Sequence, residues 1–202
     1  MTWVLFDYGG VLCHPQPERD VARLAAAAGC PVPELEAAYW SYRLDYDRAA
    51  FDVTGYWQRV AADLGRRFTG EQIAELSRLD AQSWLNLQDA SVELVNELEK
   101  AGYRLAVLSN APADVAEAVR RLPLASSFEH LLFSCYLKSA KPDPACFGAA
   151  LAALGAAPGE VVFLDDRADN VAAAAALGIR SARFTSAPQA RTDLRRYGVS
   201  PA

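Results

Sequence analysis

Four short apolar runs, far apart in the chain, each stop at a polar residue. That pattern constrains the fold more than any other feature of these 202 residues. Residues 2–6 (TWVLF) end at Asp7, with Gly9 and Gly10 close behind. Residues 104–108 (RLAVL) end at Ser109-Asn110, residues 131–133 (LLF) at Ser134, and residues 161–164 (VVFL) at Asp165-Asp166. A continuous apolar run bounded by turn residues reads as a strand buried on both faces. Residues 179–184 make a weaker fifth candidate. Helical spacing fills the intervals at 91–100 (stopped by Gly102), 113–121, Pro144–Leu154 and 168–177 (closed by Gly178). Asp143 is the expected N-cap of the third, with Pro144 at its first position. Strands alternating with helices predict the α/β class: a Rossmann-like parallel sheet flanked by helices.

Residues 15–84 break the alternation. They carry helix signals and no convincing strand, and the expected helices are Glu18–Ala28, 33–50, 54–64 and 70–84. The expected division is therefore a core of residues 1–14 and 85–202, with 15–84 as an inserted α-helical cap. Its aromatics (Tyr39, Trp40, Tyr42, Tyr46, Phe51, Tyr56, Trp57, Trp84) are dense. Most are expected in the core of a small bundle, and a few in a substrate pocket facing the sheet.

Composition narrows the partners. A net charge of −5 with no Lys/Arg block argues against nucleic acid, which needs concentrated positive charge. No apolar run approaches the ~20 residues of a membrane span. The N-terminus runs from Met1 almost directly to Asp7, with no basic segment ahead of a long apolar stretch. Cys13, Cys30, Cys135 and Cys146 are scattered without metal-ligand spacing and read as reduced, buried thiols. Together these features predict a cytoplasmic protein with neither a membrane nor a nucleic-acid partner.

In an open parallel sheet, ligands bind outside the carboxyl ends of the strands. Asp7, Ser109-Asn110 and Asp165-Asp166 all fall there, and Lys141, just before a helix, is within reach. Each alone has a plainer reading: a turn or cap carboxylate, a helix N-cap before Pro112, a solvated Lys-Pro loop. Two adjacent carboxylates are stronger, because they repel unless a cation or solvent relieves them. The ordered set is far more specific than any member.

That set resembles the haloacid-dehalogenase-like hydrolase superfamily. FDYGGVL (6–12), LSN (108–110), KPDPACF (141–147) and FLDDRADN (163–170) look like its four motifs, and a helical insertion between the first two is similar to the C1 cap of subfamily I. The resemblance implies a magnesium-dependent phosphatase acting on a small phosphorylated metabolite. Asp7 would be the nucleophile, forming an aspartyl-phosphate. Mg²⁺ would be held by Asp7, the Gly9 carbonyl and Asp166, with Asp165 a supporting or alternate ligand. Ser109 and the Asn110 N–H would hold phosphate oxygens, and Lys141 would offset their charge. Asn170 reads equally as a residue orienting the Asp165-Asp166 loop and as a plain polar helix residue.

One position departs from the pattern. Relatives usually carry a second Asp two residues after the nucleophile as general acid/base, and here Gly9 stands there. Some relatives with Gly at that position are regarded as sugar phosphatases, which points to the branch of sugar phosphatases and of epoxide-hydrolase N-terminal phosphatases. His14 at the hinge is a candidate substitute, against a hinge histidine with no role. Asp45 and Asp47 are further candidates. Two other readings compete: a metal-independent 2-haloacid dehalogenase, with Arg43 mimicking a halide-binding arginine, and a non-catalytic binding protein that keeps the metal site.

Overall fold

The computed structural model describes residues 2–201. Met1 and Ala202, the outer limits of the expected core, lie outside the described residues, so the N-terminal reading is described from Thr2 onward. Among the described residues, the strands β1 (Trp3–Phe6), β2 (Arg104–Ser109), β3 (His130–Phe133), β4 (Val161–Asp165) and β5 (Arg180–Arg183) form one parallel sheet in the order β3-β2-β1-β4-β5. The α/β sheet expected from the sequence is present. β1 and β4 are buried along their whole length and β2 at all but its first residue, while β5 at one edge is half exposed. Continuous burial explains why the inner strands read as unbroken apolar runs.

Among the described residues, ten α-helices, one single helical turn and two short 3-10 helices accompany the sheet. The insertion between β1 and β2 holds α1 (Glu18–Ala28), α2 (Val32–Ser41), α3 (Arg43–Asp47), α4 (Val53–Asp63) and α5 (Gly70–Ser83). After it come α6 (Asp89–Lys100), α7 (Ala113–Arg120), the turn α8 (Ser134–Leu137), α9 (Pro144–Leu154), α10 (Ala168–Ala176) and α11 (Ala187–Arg196). Side chains alternate across β1. Val4 and Phe6 pack with Leu94, Leu98, Val119 and Leu194 of α6, α7 and α11, whereas Trp3 and Leu5 pack with Phe147, Ala150 and Ala174 of α9 and α10. The sheet is thus covered on both faces.

The insertion has an apolar cluster of its own, in which Leu24, Tyr39, Tyr46, Tyr56, Trp57 and Leu76 are buried. Tyr46 and Tyr56 stack at 4.3 Å. Asp52 caps α4 by accepting from the Gly55 N–H, and Thr69 with Gln72 forms a capping box on α5. The single helix expected over 33–50 is corrected to two, α2 and α3, which meet at Tyr42 (φ −119°). No Gly or Pro breaks the segment there, and the bend has tertiary partners. Tyr42 donates to Asp63 at 3.0 Å, and Arg43 turns inward to reach Asp80 on α5. Helix α11 was not anticipated, although Ser186 caps it by accepting from Gln189 N–H and Pro188 sits in its first turn.

The two chains joining the insertion to the sheet lie side by side. His14 N–H donates to the Asn86 carbonyl (2.8 Å), Gln88 N–H to Leu12 (2.9 Å), and the Gln88 side chain to Cys13 (3.1 Å). No helix of the described residues is long and apolar enough to cross a membrane.

Candidate active site

Strand register brings the first carboxylates together. Phe6 pairs with Leu164, so the next residue on each parallel strand, Asp7 and Asp165, emerges at the same level of the sheet edge. The Asp7 N–H donates to the Leu164 carbonyl (2.8 Å), and one Asp7 oxygen accepts from the Tyr8 N–H (2.7 Å). Ser109 ends the neighbouring strand β2.

Lys141 arrives from the loop before α9. Its side chain is buried, with Nζ 2.8 Å from Asp7 and 2.7 Å from Asp165. Asn110 fixes its backbone from both sides: Nδ2 donates to the Lys141 carbonyl (2.8 Å), and the Lys141 N–H donates to Oδ1 (2.9 Å). Buried Asn170 donates through Nδ2 to both Asp165 oxygens at 3.0 Å, and the Arg167 N–H adds 2.9 Å to Oδ1. Of the two expectations for Asn170, the geometry has it orienting Asp165.

Charge at this edge is unbalanced. Ligand atoms of Asp7, Asp165 and Asp166 lie within 4.8 Å of one another, three carboxylates against one ammonium. Burial pushes Asp7 up to about 7, against the pull of Lys141 and with a further push from Asp165. Burial, then Asp165, raises half-buried Asp166 as well. For Lys141, burial opposes the charge, but the two carboxylates prevail and hold it above the ordinary lysine value. A hard divalent cation suits this set. Asp165 is fully engaged by Lys141, Asn170 and Arg167, whereas Asp166 has no side-chain donor among the hydrogen bonds described. Asn170 Oδ1, beside them, is a buried acceptor without a hydrogen-bond partner among the described residues. Gly10 completes the approach. Its φ of +71° suits glycine, and a Cβ there would lie 2.6 Å from an Asp166 oxygen.

A cavity of about 690 Å³ opens over this edge. Asp7, Gly9, Ser109, Asn110, Lys141, Asp166 and Asn170 line it from below, while Gln16, Trp40, Arg43, Leu44, Asp47 and Trp84 line it from the insertion side. Trp40 and Leu44 are 54% and 48% exposed. Of the insertion's aromatics, these walls receive Trp40 and Trp84, while Tyr39, Tyr46, Tyr56 and Trp57 belong to its core.

Not every expected residue reaches the cavity. His14 is exposed and absent from the wall, because its backbone is tied to Asn86 in the paired connections. Asp45 turns to Arg48 and is also absent. Arg43 does face the cavity but is neither solvated nor free. Its Nε donates to Asp47 (2.7 Å), its Nη1 to Asp80 (2.9 Å), and Nη1 also contacts the Tyr39 hydroxyl.

Three features escaped the sequence reading. Gly10 had a visible signal, a Gly-Gly pair directly after a strand-end Asp. Asp80 had none, since an acidic residue on an amphipathic helix reads as solvent-facing. Ser134 was seen only as a strand end. Its hydroxyl accepts from the Ala111 N–H (3.0 Å) and donates to the Asp47 carbonyl (2.5 Å), joining the loop after β2 to the insertion.

A family model described as haloacid dehalogenase-like hydrolase matches residues 1–178. Flavin mononucleotide hydrolase 1 of Arabidopsis thaliana is 25% identical over 198 residues, covering 98% of this chain and 78% of the relative. A phosphatase of Mycobacterium tuberculosis is 28% identical over 188 residues (88% and 84%). Among solved structures, a HAD family enzyme of Bacteroides thetaiotaomicron in complex with magnesium and inorganic phosphate has a TM-score of 0.73 at 22% identity, covering 91% of this chain and 93% of that one. L-2-haloacid dehalogenase of Xanthobacter autotrophicus also has 0.73 at 22% identity, covering 100% and 85%. The fold is therefore common to metal-and-phosphate and dehalogenase enzymes alike.

Proposed function

The chain belongs to the haloacid dehalogenase-like hydrolases, and from that premise we propose that it is a magnesium-dependent phosphatase of small phosphorylated metabolites. The observation that carries this reading is the surplus of carboxylate at the sheet edge: Asp7, Asp165 and Asp166 gathered around a single lysine at the floor of a cavity. A dehalogenase site needs no such surplus. The reading also takes residues 15–84 as a cap that sets specificity over a core of 1–14 and 85–202.

In this reading Asp7 attacks phosphorus in line, and its Oδ–P bond forms as the bond to the leaving oxygen breaks. The Ser109 hydroxyl and the Asn110 N–H hold the phosphate oxygens. Lys141 offsets the charge of nucleophile and phosphate together, without which one anion attacking another is opposed. Asp166, the free oxygen of Asp7 and the Gly9 carbonyl would hold Mg²⁺, with Asp165 fixing Lys141 between itself and Asp7. The ion, when bound, neutralises phosphate charge and helps align the ester.

Among metabolites, this reading takes a sugar phosphate as substrate, because Trp40 is exposed on the cavity wall and Gln16 and Glu36 add polar groups to the same walls. The test is phosphate release from a panel of sugar, nucleotide and organic-acid phosphates, with and without EDTA, beside halide release from 2-haloacids. Release that requires both Mg²⁺ and Asp7 supports the reading, and metal-independent halide release sinks it. Arg43, saturated by Asp47 and Asp80, makes a poor halide ligand in the dehalogenase alternative.

A further inference from the structure

Glycine at position 9 leaves the phosphatase without a proton donor beside its nucleophile, so another wall of the cavity must supply one. We propose that Asp47 protonates the leaving oxygen and then activates the attacking water, an inference that rests on the phosphatase reading above.

Position is the first argument. Asp47 is the one insertion carboxylate that is both buried and part of the cavity wall that Asp7 shares. Its backbone is tied to the phosphate loop through one residue: Ala111 N–H donates to Ser134 Oγ, and Ser134 Oγ donates to the Asp47 carbonyl. Ala111 directly follows the Ser109-Asn110 pair assigned to the phosphate oxygens. The Asp47 backbone is thereby fixed beside the loop that carries the phosphate ligands, on the wall of the same cavity.

The second argument is where a proton resides. Arg43, Asp47 and Asp80 are buried together, two carboxylates for one guanidinium. Asp80 accepts from Arg43 (2.9 Å), the Tyr39 hydroxyl (2.7 Å), Gln16 (3.3 Å) and the Trp84 indole (3.3 Å). Asp47 has a single side-chain donor, Arg43 Nε on Oδ1. Four donors favour the anion at Asp80, and one donor leaves Asp47 as the member that takes the proton. Burial pushes Asp47 and Asp80 alike up to about 6 against the pull of Arg43, with Asp114 on α7 adding to the push on both, so the pair holds a proton and the donor count assigns it to Asp47. Asp80 is absent from the cavity wall, so the anion with more hydrogen-bond donors stays behind and the proton carrier lines the cavity.

The proton balance closes. As the Asp7–P bond forms and the ester P–O bond breaks, the leaving oxygen takes the Asp47 proton and departs as the alcohol. Asp47, now a carboxylate, accepts a proton from water as the water oxygen bonds to phosphorus and the Asp7–P bond breaks. The products are inorganic phosphate, free Asp7 carboxylate and protonated Asp47.

The experiment compares kcat/KM for phenyl phosphate and p-nitrophenyl phosphate, because nitrophenolate leaves without help while phenolate gains from a proton. Asp47→Asn is expected to lose about 100-fold or more on phenyl phosphate, and far less on p-nitrophenyl phosphate. Asp47→Glu should recover part of that ratio, and Asp80→Asn should leave the ratio at its wild-type value. A misfolded variant loses both esters together, so the ratio separates chemistry from stability. Equal losses on the two esters in Asp47→Asn, or the same change of ratio in Asp80→Asn, overturn the assignment to Asp47 while Asp7-dependent turnover keeps the phosphatase reading. Wild-type release no greater than that of Asp7→Asn overturns both.

Discussion

Two buried trios face one cavity, each a single cation held between two carboxylates, and they are assembled in opposite ways. At the sheet edge, Lys141 comes from the loop before α9 to sit between Asp7 and Asp165, which strand register brings to one level. In the insertion, Arg43 sits between Asp47, one helical turn away, and Asp80. The insertion trio is furnished with neutral donors from Tyr39, Gln16 and Trp84. The sheet-edge trio has donors of its own from Asn170, Arg167 and Tyr8, and it adds a third carboxylate, Asp166, and an unpartnered amide oxygen on Asn170. Both clusters carry more carboxylate than cation, and the surplus is larger at the sheet edge, where the phosphatase reading puts a metal and a phosphate group.

The comparison breaks first at the nucleophile. Asp7→Asn is expected to cut phosphate release by at least roughly a thousandfold, measured with p-nitrophenyl phosphate under saturating Mg²⁺. An effect within tenfold would overturn Asp7 as the nucleophile. Next come the two cations. Removing one partner of a buried ion pair costs about 3–5 kcal/mol, so Lys141→Met and Arg43→Met should both lower stability by that order in urea unfolding without metal. Mg²⁺ should recover part of the loss in Lys141→Met and none of it in Arg43→Met. Equal recovery would show that the trios do not differ in kind.

Metal linkage sharpens the contrast further. Wild type should gain about 2.7 kcal/mol at a Mg²⁺ concentration 100 times its Kd. Asp166→Asn should abolish that gain, while Asp80→Asn keeps it. A smaller effect concerns pH. The Asp80 carboxyl is pushed from 3.8 up to about 6, chiefly by burial, so the native state binds more protons than the unfolded chain in that interval. Stability from this group therefore falls as pH rises from about 4 through about 6. Metal-free unfolding of Asp80→Asn across that range should show a flatter profile than wild type, and an identical profile counts against a protonated insertion trio. The smallest effect is Ser134→Ala, which unpairs the Ala111 N–H and the Asp47 carbonyl. It should cost about 1–3 kcal/mol and be visible as a lower urea midpoint.

The sheet edge was legible in the sequence because parallel strands advertise their ends: an apolar run stops, and the next residue lies at the edge where ligands bind in such sheets. Asp7, Ser109, Asp165 and Asp166 follow that rule, and the register then places them together. Nothing local encodes the insertion trio. Arg43 on α3 and Asp80 on α5 have the whole of α4 between them in the chain, and the bend at Tyr42 that lets them meet has no Gly or Pro to announce it. His14 shows the converse failure. Its distance along the chain from Asp7 is short, yet the pairing of residues 12–14 with 86–88 keeps it off the cavity wall.

That pairing has a consequence for how such a molecule changes. The strands entering and leaving the helical insertion are bonded to each other where they join the sheet, at Cys13 opposite Leu87. The chain enters and leaves the insertion through this one narrow neck, and the Ser134 bond to the Asp47 carbonyl is a second tie between insertion and sheet. A change in the neck therefore shifts the insertion's share of the cavity wall as a unit, with Asp47, Arg43 and Trp40 moving together.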